Sequence, residues 1–279
     1  MKPAGERAFS FEFFPPKTPE GKDRLRATWR QLAGLKPRFF SVTFGAGGST
    51  REGTLETVLE IRAEGHEAAP HISCVASSRT EIAAQLERYR QHGIRHIVAL
   101  RGDLPSGLAS AGELRHANEL VAFIRRETGD WFEIDVACYP EFHPQTRDAA
   151  DEIRRFKQKV DAGANSAITQ YFYNADAYFR FVEDCETAGI TVPIVPGIMP
   201  IGNFSQMARF SDACGAEIPR WMRFRLESLG DDRAAIREFG LDVVTGLCDK
   251  LLAAGAPGLH FYTLNQAGLT SIIWQRLGL

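Results

Sequence analysis

Four near-identical junctions constrain the fold of this chain more than any other feature. Glycine occupies the same place in His92-Gly93-Ile94, Ala162-Gly163-Ala164, Ala188-Gly189-Ile190 and Ala254-Gly255-Ala256. Each glycine follows a helical pattern and precedes a new run of apolar residues, as a helix stop in left-handed geometry does. Helices are predicted by apolar spacing over 17–34, 50–63, 80–92, 113–127, 146–162 and 175–188. Strands are predicted around Phe9–Phe14 and over 39–45, 68–74, 96–102, 134–139, 167–172, 193–199 and 259–264. The stretch 203–254 should hold two or three helices, and a last helix runs to Leu277. Eight short strands, each followed by helix, predict an α/β chain folded as one (β/α)₈ TIM barrel, a single domain over residues 1–279. The runner-up is an open doubly wound sheet, which would want a G-x-G-x-x-G after its first strand; none is present.

Bulk properties exclude some function classes. A formal net charge of -2 gives no electrostatic footprint for nucleic acid or a membrane surface. The N-terminus is interrupted early by Glu12, so a signal peptide is not expected, and no run approaches membrane-spanning length. Cys74, Cys138, Cys185, Cys214 and Cys248 are scattered without a C-x-x-C pair, which reads as reduced thiols in a cytoplasmic protein.

A barrel of this kind carries its active site at the C-terminal ends of its strands. Those positions are Glu12, Thr43, His71, Arg101-Gly102-Asp103, Tyr139-Pro140-Glu141-Phe142-His143, Gln170, Pro200 with Asn203, and Asn265-Gln266. In the first strand, period two turns Phe9, Phe11 and Phe13 one way and Ser10, Glu12 and Phe14 the other. If the phenylalanines pack on the outer helices, Glu12 faces the mouth. It is then either a solvated strand-end carboxylate or an acid in a poorly solvated pocket with a raised pKa, suited to general acid work.

Several chemistries compete for this rim. A metal hydrolase would want an H-x-H pair in the first strand, and there is none, so no metal is expected. Gly45-Ala46-Gly47-Gly48-Ser49-Thr50 lacks the G-K-[ST] ending of a phosphate loop and reads as a flexible loop. Glu12 and Asp103 could serve as the two acids of a glycosidase. No serine or cysteine lies in a nucleophile elbow. Taken singly, His71 reads as a core histidine, Lys159 as part of a solvated face with Arg154, Arg155 and Lys157, and Phe210 as core packing.

A family resemblance resolves more. Ser10-Phe11-Glu12-Phe13-Phe14-Pro15-Pro16-Lys17, Ser41-Val42-Thr43-Phe44-Gly45-Ala46, Ala69-Pro70-His71 and Ala99-Leu100-Arg101-Gly102-Asp103 resemble the methylenetetrahydrofolate reductase family. So do Tyr139-Pro140-Glu141-Phe142-His143-Pro144, Lys159-Val160-Asp161-Ala162-Gly163-Ala164, Ile168-Thr169-Gln170, Pro196-Gly197-Ile198-Met199-Pro200 and His260-Phe261-Tyr262-Thr263-Leu264-Asn265. The motifs run in order from residue 10 to the C-terminus.

The resemblance implies noncovalent FAD and a ping-pong reaction: NAD(P)H reduces the flavin and leaves, then 5,10-methylenetetrahydrofolate is reduced to 5-methyltetrahydrofolate in the same site. It implies that Glu12 is the general acid opening the imidazolidine ring and that Asp103 lies beside flavin and pterin. Thr43, His71, Arg101, Gly102, Asp103, His116, Ala117, Tyr139, His143, Glu152, Arg155 and Lys159 are implied for the cofactor site. Glu12, Thr43, Asp103, Gln170, Gln206, Phe210 and Gln266 are implied for folate or nicotinamide. Opening an N–C–N bridge at neutral pH does call for a donor such as Glu12, and a pyrophosphate calls for cations such as Arg101, Arg155 and Lys159.

Three positions depart from the family pattern. Gln266 stands where arginine is frequent, removing a charge that could meet the glutamate tail of the folate. His116-Ala117 replaces a tyrosine-alanine pair, and Glu152 an aspartate. The chain stops after the eighth unit, so the regulatory domain of the animal enzymes and its response to S-adenosylmethionine are not expected. A homo-oligomer, dimer or tetramer, is expected by the same resemblance. The alternatives left open are the two-carboxylate glycosidase and a non-catalytic flavin- or folate-binding barrel.

Overall fold

The computed structural model describes residues 7–44, 50–102 and 112–279. Most of the predicted glycine loop and Asp103 lie outside the described residues. Strands β1 (Ala8–Phe13), β2 (Phe39–Val42), β3 (Ala68–Ser73), β4 (His96–Leu100), β5 (Glu133–Cys138), β6 (Ser166–Thr169), β7 (Ile194–Val195), β8 (Gly197–Ile198) and β9 (Gly258–Tyr262) form one sheet. Its order is β7-β6-β5-β4-β3-β2-β1-β9-β8, with the paired strands parallel. Helices α1 (Pro19–Ala33), α2 (Arg51–Ala63), α3 (Arg79–Gln91), α4 (Ala117–Thr128), α5 (Ala149–Asp161) and α6 (Ala175–Thr187) alternate with the strands. They are followed by α7 (Phe204–Cys214), α8 (Arg220–Ser228), α9 (Arg233–Ala253) and α10 (Gly268–Arg276). This is the expected TIM barrel, with three helices in the long connection before β9.

The seventh predicted strand is split, which is why nine segments stand where eight were expected. Pro196 has no N–H to give to a ladder. The half before it, β7, pairs with β6, and the half after it, β8, pairs with β9. Pro196 O still accepts from His260 N at 3.0 Å, so one broken strand closes the barrel. Gly197 makes the close approach possible: a Cβ there would lie 2.2 Å from Thr169 O and 2.6 Å from the Tyr262 ring. The predicted helix stops also hold, with positive φ at Gly93, Gly163, Gly189 and Gly255. Most strands are shorter than predicted: β6 ends at Thr169, so Gln170 follows the strand instead of lying in it.

Burial separates two shells. Outside the sheet, Phe11, Phe13 and Phe40 pack with Trp29, Leu32 and other helix residues in the main core. Phe11 lies 5.9 Å from Trp274 between ring centroids, which pins the C-terminal helix to β1. Inside the barrel the apolar cluster is small, built on Phe39, Ala69, Val98 and Ile168. Ser10, Ser41, His71, His96, Asp135 and His260 are buried as well. Barrel interiors are usually filled by branched aliphatic side chains, and of these polar groups His96 and Asp135 pair with one another, while Ser41 Oγ has no hydrogen-bond partner among the described residues. His96 Nε2 and Asp135 Oδ2 lie 2.9 Å apart, and Ser166 Oγ donates to Asp135 Oδ1. Burial tends to neutralise both members, but the pairing wins: His96 is raised and Asp135 lowered from their ordinary pKa values. Among the described residues, no helix is long and apolar enough to cross a membrane.

Candidate active site

Glu12 enters the barrel mouth because β1 pairs with both β2 and β9, which fixes its register from two sides. Its neighbours across the ladders are Ser41 and Tyr262. The backbone beyond it is held by β9 and its turn: Thr263 Oγ1 donates to Glu12 O at 2.6 Å. Asn265 Nδ2 donates to Phe14 O at 2.8 Å, and Phe14 N returns a bond to Asn265 Oδ1 at 3.0 Å. Leu264 and Asn265 both adopt positive φ to make this turn; asparagine tolerates that geometry, and the paired bonds to Phe14 hold the strained turn in place.

The Glu12 carboxylate is 18% exposed and faces two imidazoles. Its Oε2 lies 3.3 Å from His71 Nε2 and 3.5 Å from His260 Nε2. Both ring nitrogens are buried and have no other partner. His260 is anchored from the far side, its Nδ1 lying 2.7 Å from Ser10 Oγ. Burial pushes the Glu12 carboxyl up, but His260 and His71 outweigh it and hold the group at about 2. The expectation of a raised pKa is therefore overturned for the free protein. Its physical basis was also misplaced: Phe11 and Phe13 point into the outer core, Phe14 is exposed, and imidazoles surround the acid.

Apart from Asp103, which lies outside the described residues, the residues implied for the cofactor gather at the ends of β2 to β5, at the start of α4 and along α5. Thr43 Oγ1 is buried and has no hydrogen-bond partner among the described residues. Arg101 Nη1 donates to Gln145 Oε1 at 2.5 Å, and Gly102 takes positive φ where a Cβ would meet Val75 at 2.7 Å. His116 caps α4 without a side-chain bond, leaving its ring exposed beside half-buried Ala117. Tyr139 and His143 meet edge to face at 4.8 Å. Glu152 is buried and accepts from His143 N at 3.2 Å and Thr146 Oγ1 at 2.8 Å, so it shapes the turn carrying that pair.

Lys159 overturns its reading as part of a solvated face. It is 9% exposed, and its Nζ donates to Ala137 O at 2.6 Å beneath the Tyr139 ring. Burial lowers its pKa, while Glu152 opposes that shift. Arg155, by contrast, is committed to Asp151, its Nε donating to Oδ2 at 3.1 Å.

The residues implied for substrate lie on the other side of the mouth. Asn203 caps α7 by accepting from Gln206 N at 2.9 Å, and the helical turn brings Gln206 and Phe210 to one face. Phe210 is 39% exposed, so its reading as core packing does not hold. Gln206, Phe210 and Gln266 border one cavity of about 330 Å³. Gln170 is half-buried, its Oε1 accepting from Tyr171 N at 3.0 Å. The residue reading missed His260 as a partner of Glu12 and Ser10 as the anchor of His260. Closure of the barrel between the first and last strands was the available signal, because it sets Ser10 opposite His260.

Comparison with known proteins agrees with this architecture. The family model for methylenetetrahydrofolate reductase matches residues 1–278. The 5,10-methylenetetrahydrofolate reductases of Salmonella typhimurium and Escherichia coli are each 42% identical over 275 residues, covering 98% of this chain and 92% of theirs. A rice protein named probable methylenetetrahydrofolate reductase (NADH) is 40% identical, covering 99% of this chain and 49% of its own. A Clostridium thermocellum protein that binds two copies of 5-methyl-5,6,7,8-tetrahydrofolic acid shares the fold, with a TM-score of 0.65 at 17% identity over 98% of this chain and 95% of that one. On this match over nearly its whole length, the chain belongs to the methylenetetrahydrofolate reductase family.

Proposed function

We propose that this protein reduces 5,10-methylenetetrahydrofolate to 5-methyltetrahydrofolate with electrons from NAD(P)H, using FAD bound across residues 1–279 as a single flavin-binding barrel. The observation that carries the reading is the convergence of Glu12, His71 and His260 at the mouth of a barrel of this family. Family membership leaves the glycosidase and the non-catalytic alternatives without support.

The residues present suit FAD. Thr43 offers a buried hydroxyl without a partner among the described residues, Arg101 is a cation at the rim, and Lys159 is a buried cation bonded to one backbone carbonyl. Tyr139 and His143, packed edge to face, add aromatic surface. Bound there, FAD supplies the two-electron carrier between nicotinamide and folate. The protein's own work is binding, orientation and proton supply. Arg101 and Lys159 face the phosphate-bearing ligand, and Asp103, outside the described residues, is assigned to the flavin ring and pterin by the family resemblance alone. Arg155 buttresses α5 through Asp151 instead of reaching outward. Phe210 gives the pterin an apolar face, and Gln170 and Gln206 give it amide partners.

Ring opening needs a proton at the bridging nitrogen. Glu12 Oε2 delivers it, with the imidazoles of His71 and His260 at 3.3 and 3.5 Å orienting the carboxyl group. A pterin covering the mouth removes water from Glu12, so burial gains on the imidazoles and the acid form becomes accessible. Phe14, exposed at the mouth beside Asn265, stands where that ligand would enter.

The five free cysteines suit a cytoplasmic location. Exposed Trp221 and Phe224 on α8 suit a homo-oligomer, dimer or tetramer, which light scattering reads directly.

The test is spectroscopic. The purified protein should carry, or take up, a yellow chromophore that NAD(P)H bleaches anaerobically and 5,10-methylenetetrahydrofolate restores. A colourless protein that binds no added FAD would sink the proposal, as would a bleached one that the folate leaves unchanged.

A further inference from the structure

The cavity beside Gln266 contains charge that no role above uses. Arg233 and Arg237 of α9 line it together with Gln206, Phe210, Gln266 and Thr270. Neither arginine makes a side-chain hydrogen bond or ion pair with any described residue. The acids nearest them along α9 are engaged elsewhere. Asp232 caps the helix by accepting from Ala234 N and Ala235 N at 3.1 and 3.0 Å. Glu238 and Asp242 are both held by Arg276, at 2.6 and 2.8 Å. No described side chain therefore forms an ion pair with either arginine.

A second observation points into the same space. Thr270 lines the cavity, is fully buried, and its Oγ1 has no hydrogen-bond partner. A buried hydroxyl left in that state costs free energy unless a ligand or water completes it. Four residues of helix put the two arginine positions about 6 Å apart along the axis, on one face. That matches a ligand with two carboxylates a few bonds apart better than a single anion.

We propose that Arg233, Arg237 and Thr270 form a dicarboxylate subsite that receives the glutamate tail of the folate. This rests on the folate reading above and deepens it. The charge missing at Gln266 is supplied from the opposite wall, by α9 instead of the turn after β9. A folate whose pterin lies against Phe210 runs its tail along this cavity toward the arginines. A longer γ-linked polyglutamate would add carboxylates along the exposed rim they occupy.

The test compares ligands with and without the tail on the holoenzyme. Calorimetry would measure binding of 5-methyltetrahydrofolate, its triglutamate and 5-methyltetrahydropteroate, which lacks glutamate, to wild type and to the R233Q/R237Q double variant. Both positions are exposed, so the fold tolerates the exchange. The expected result is a loss of about tenfold or more for both tailed ligands, the scale of two charge-assisted contacts, and none for the pteroate. Adding Gln266→Arg to the double variant should restore part of the loss, because it returns a cation to the same cavity. Unaltered affinity for the tailed ligands overturns the subsite, as does an equal loss for the pteroate. A wild-type holoenzyme that binds none of the three overturns the folate reading itself, and the subsite with it.

Discussion

His260 stands between Ser10 and Glu12, its Nδ1 2.7 Å from the serine hydroxyl and its Nε2 3.5 Å from the carboxylate. One imidazole thus touches two alternate residues of the same strand. Ser10 fixes the ring by one nitrogen and leaves the other aimed at the proposed acid. With His71 on the opposite flank, the carboxylate sits between two imidazoles and not in the apolar pocket that its phenylalanine neighbours suggested.

Glu12→Gln should separate the two half-reactions. Flavin reduction by NAD(P)H should survive, while reoxidation by methylenetetrahydrofolate slows by about 10²- to 10⁴-fold, the range for losing a general acid. Stopped-flow absorbance measures both. Equal losses would assign Glu12 to flavin positioning.

His260→Asn should move a pH limb. The imidazole lowers the Glu12 pKa against the effect of burial, so its removal raises that pKa. A reaction needing the protonated carboxyl fails as pH climbs past the pKa, and the alkaline limb of the folate half-reaction should therefore shift to higher pH. A limb that stays put would mean that His260 only packs.

Asp135→Ala removes the partner of a buried histidine and should destabilise the fold by about 3 kcal/mol. The effect carries a pH signature. His96 has its folded pKa raised above the 6.5 of the free side chain. Its stabilising contribution is therefore complete below pH 6.5 and fades as pH rises through the folded value. Denaturant melts of wild type and variant should converge partway on going from pH 6 to pH 9. A gap independent of pH would show that the pair acts by packing alone.

Gly197→Ala should cost about 3 kcal/mol, the upper part of the range for overpacking, because the added methyl meets backbone at Thr169 and the Tyr262 ring. Thermal unfolding measures it. Little change would mean that the broken strand can shift to admit the methyl.

Lys159→Met keeps an unbranched side chain one atom shorter and removes its charge. If the buried ammonium serves the flavin phosphates, FAD affinity should fall by about tenfold or more. Fluorescence titration of the apoprotein with FAD would show it, and unchanged affinity would assign Lys159 to Ala137 O alone.

The barrel was legible in the sequence because its signals are local. Glycine stops at 93, 163, 189 and 255 are set by backbone geometry at single residues, and apolar spacing marks each helix. Burial of Phe11 and Phe13 against the helices followed from period two. What period two does not reveal is the company on the inner side. His71, Glu12 and His260 come from three strands, and the resulting field depends on distances that no local pattern encodes. Lys159 failed for a related reason: helix spacing put it among arginines, but a long side chain can turn inward to one carbonyl. The split at Pro196 was visible as a proline within a predicted strand. Its effect on closure was not, because the strand remains continuous in direction while its two halves serve different neighbours.

That split divides the barrel mechanically. From β3 through β6 the ladders run unbroken, and the residues implied for the cofactor are mounted on this arc and the adjoining β2 and α5. The closing seam is held by β7 and β8, two residues each, and α7 with Gln206 and Phe210 hangs directly from it. A ping-pong site must retain one partner while two others take turns. On the proposed reading, the continuous arc would underlie the permanent guest, and the seam of two-residue strands the berth where the visitors exchange.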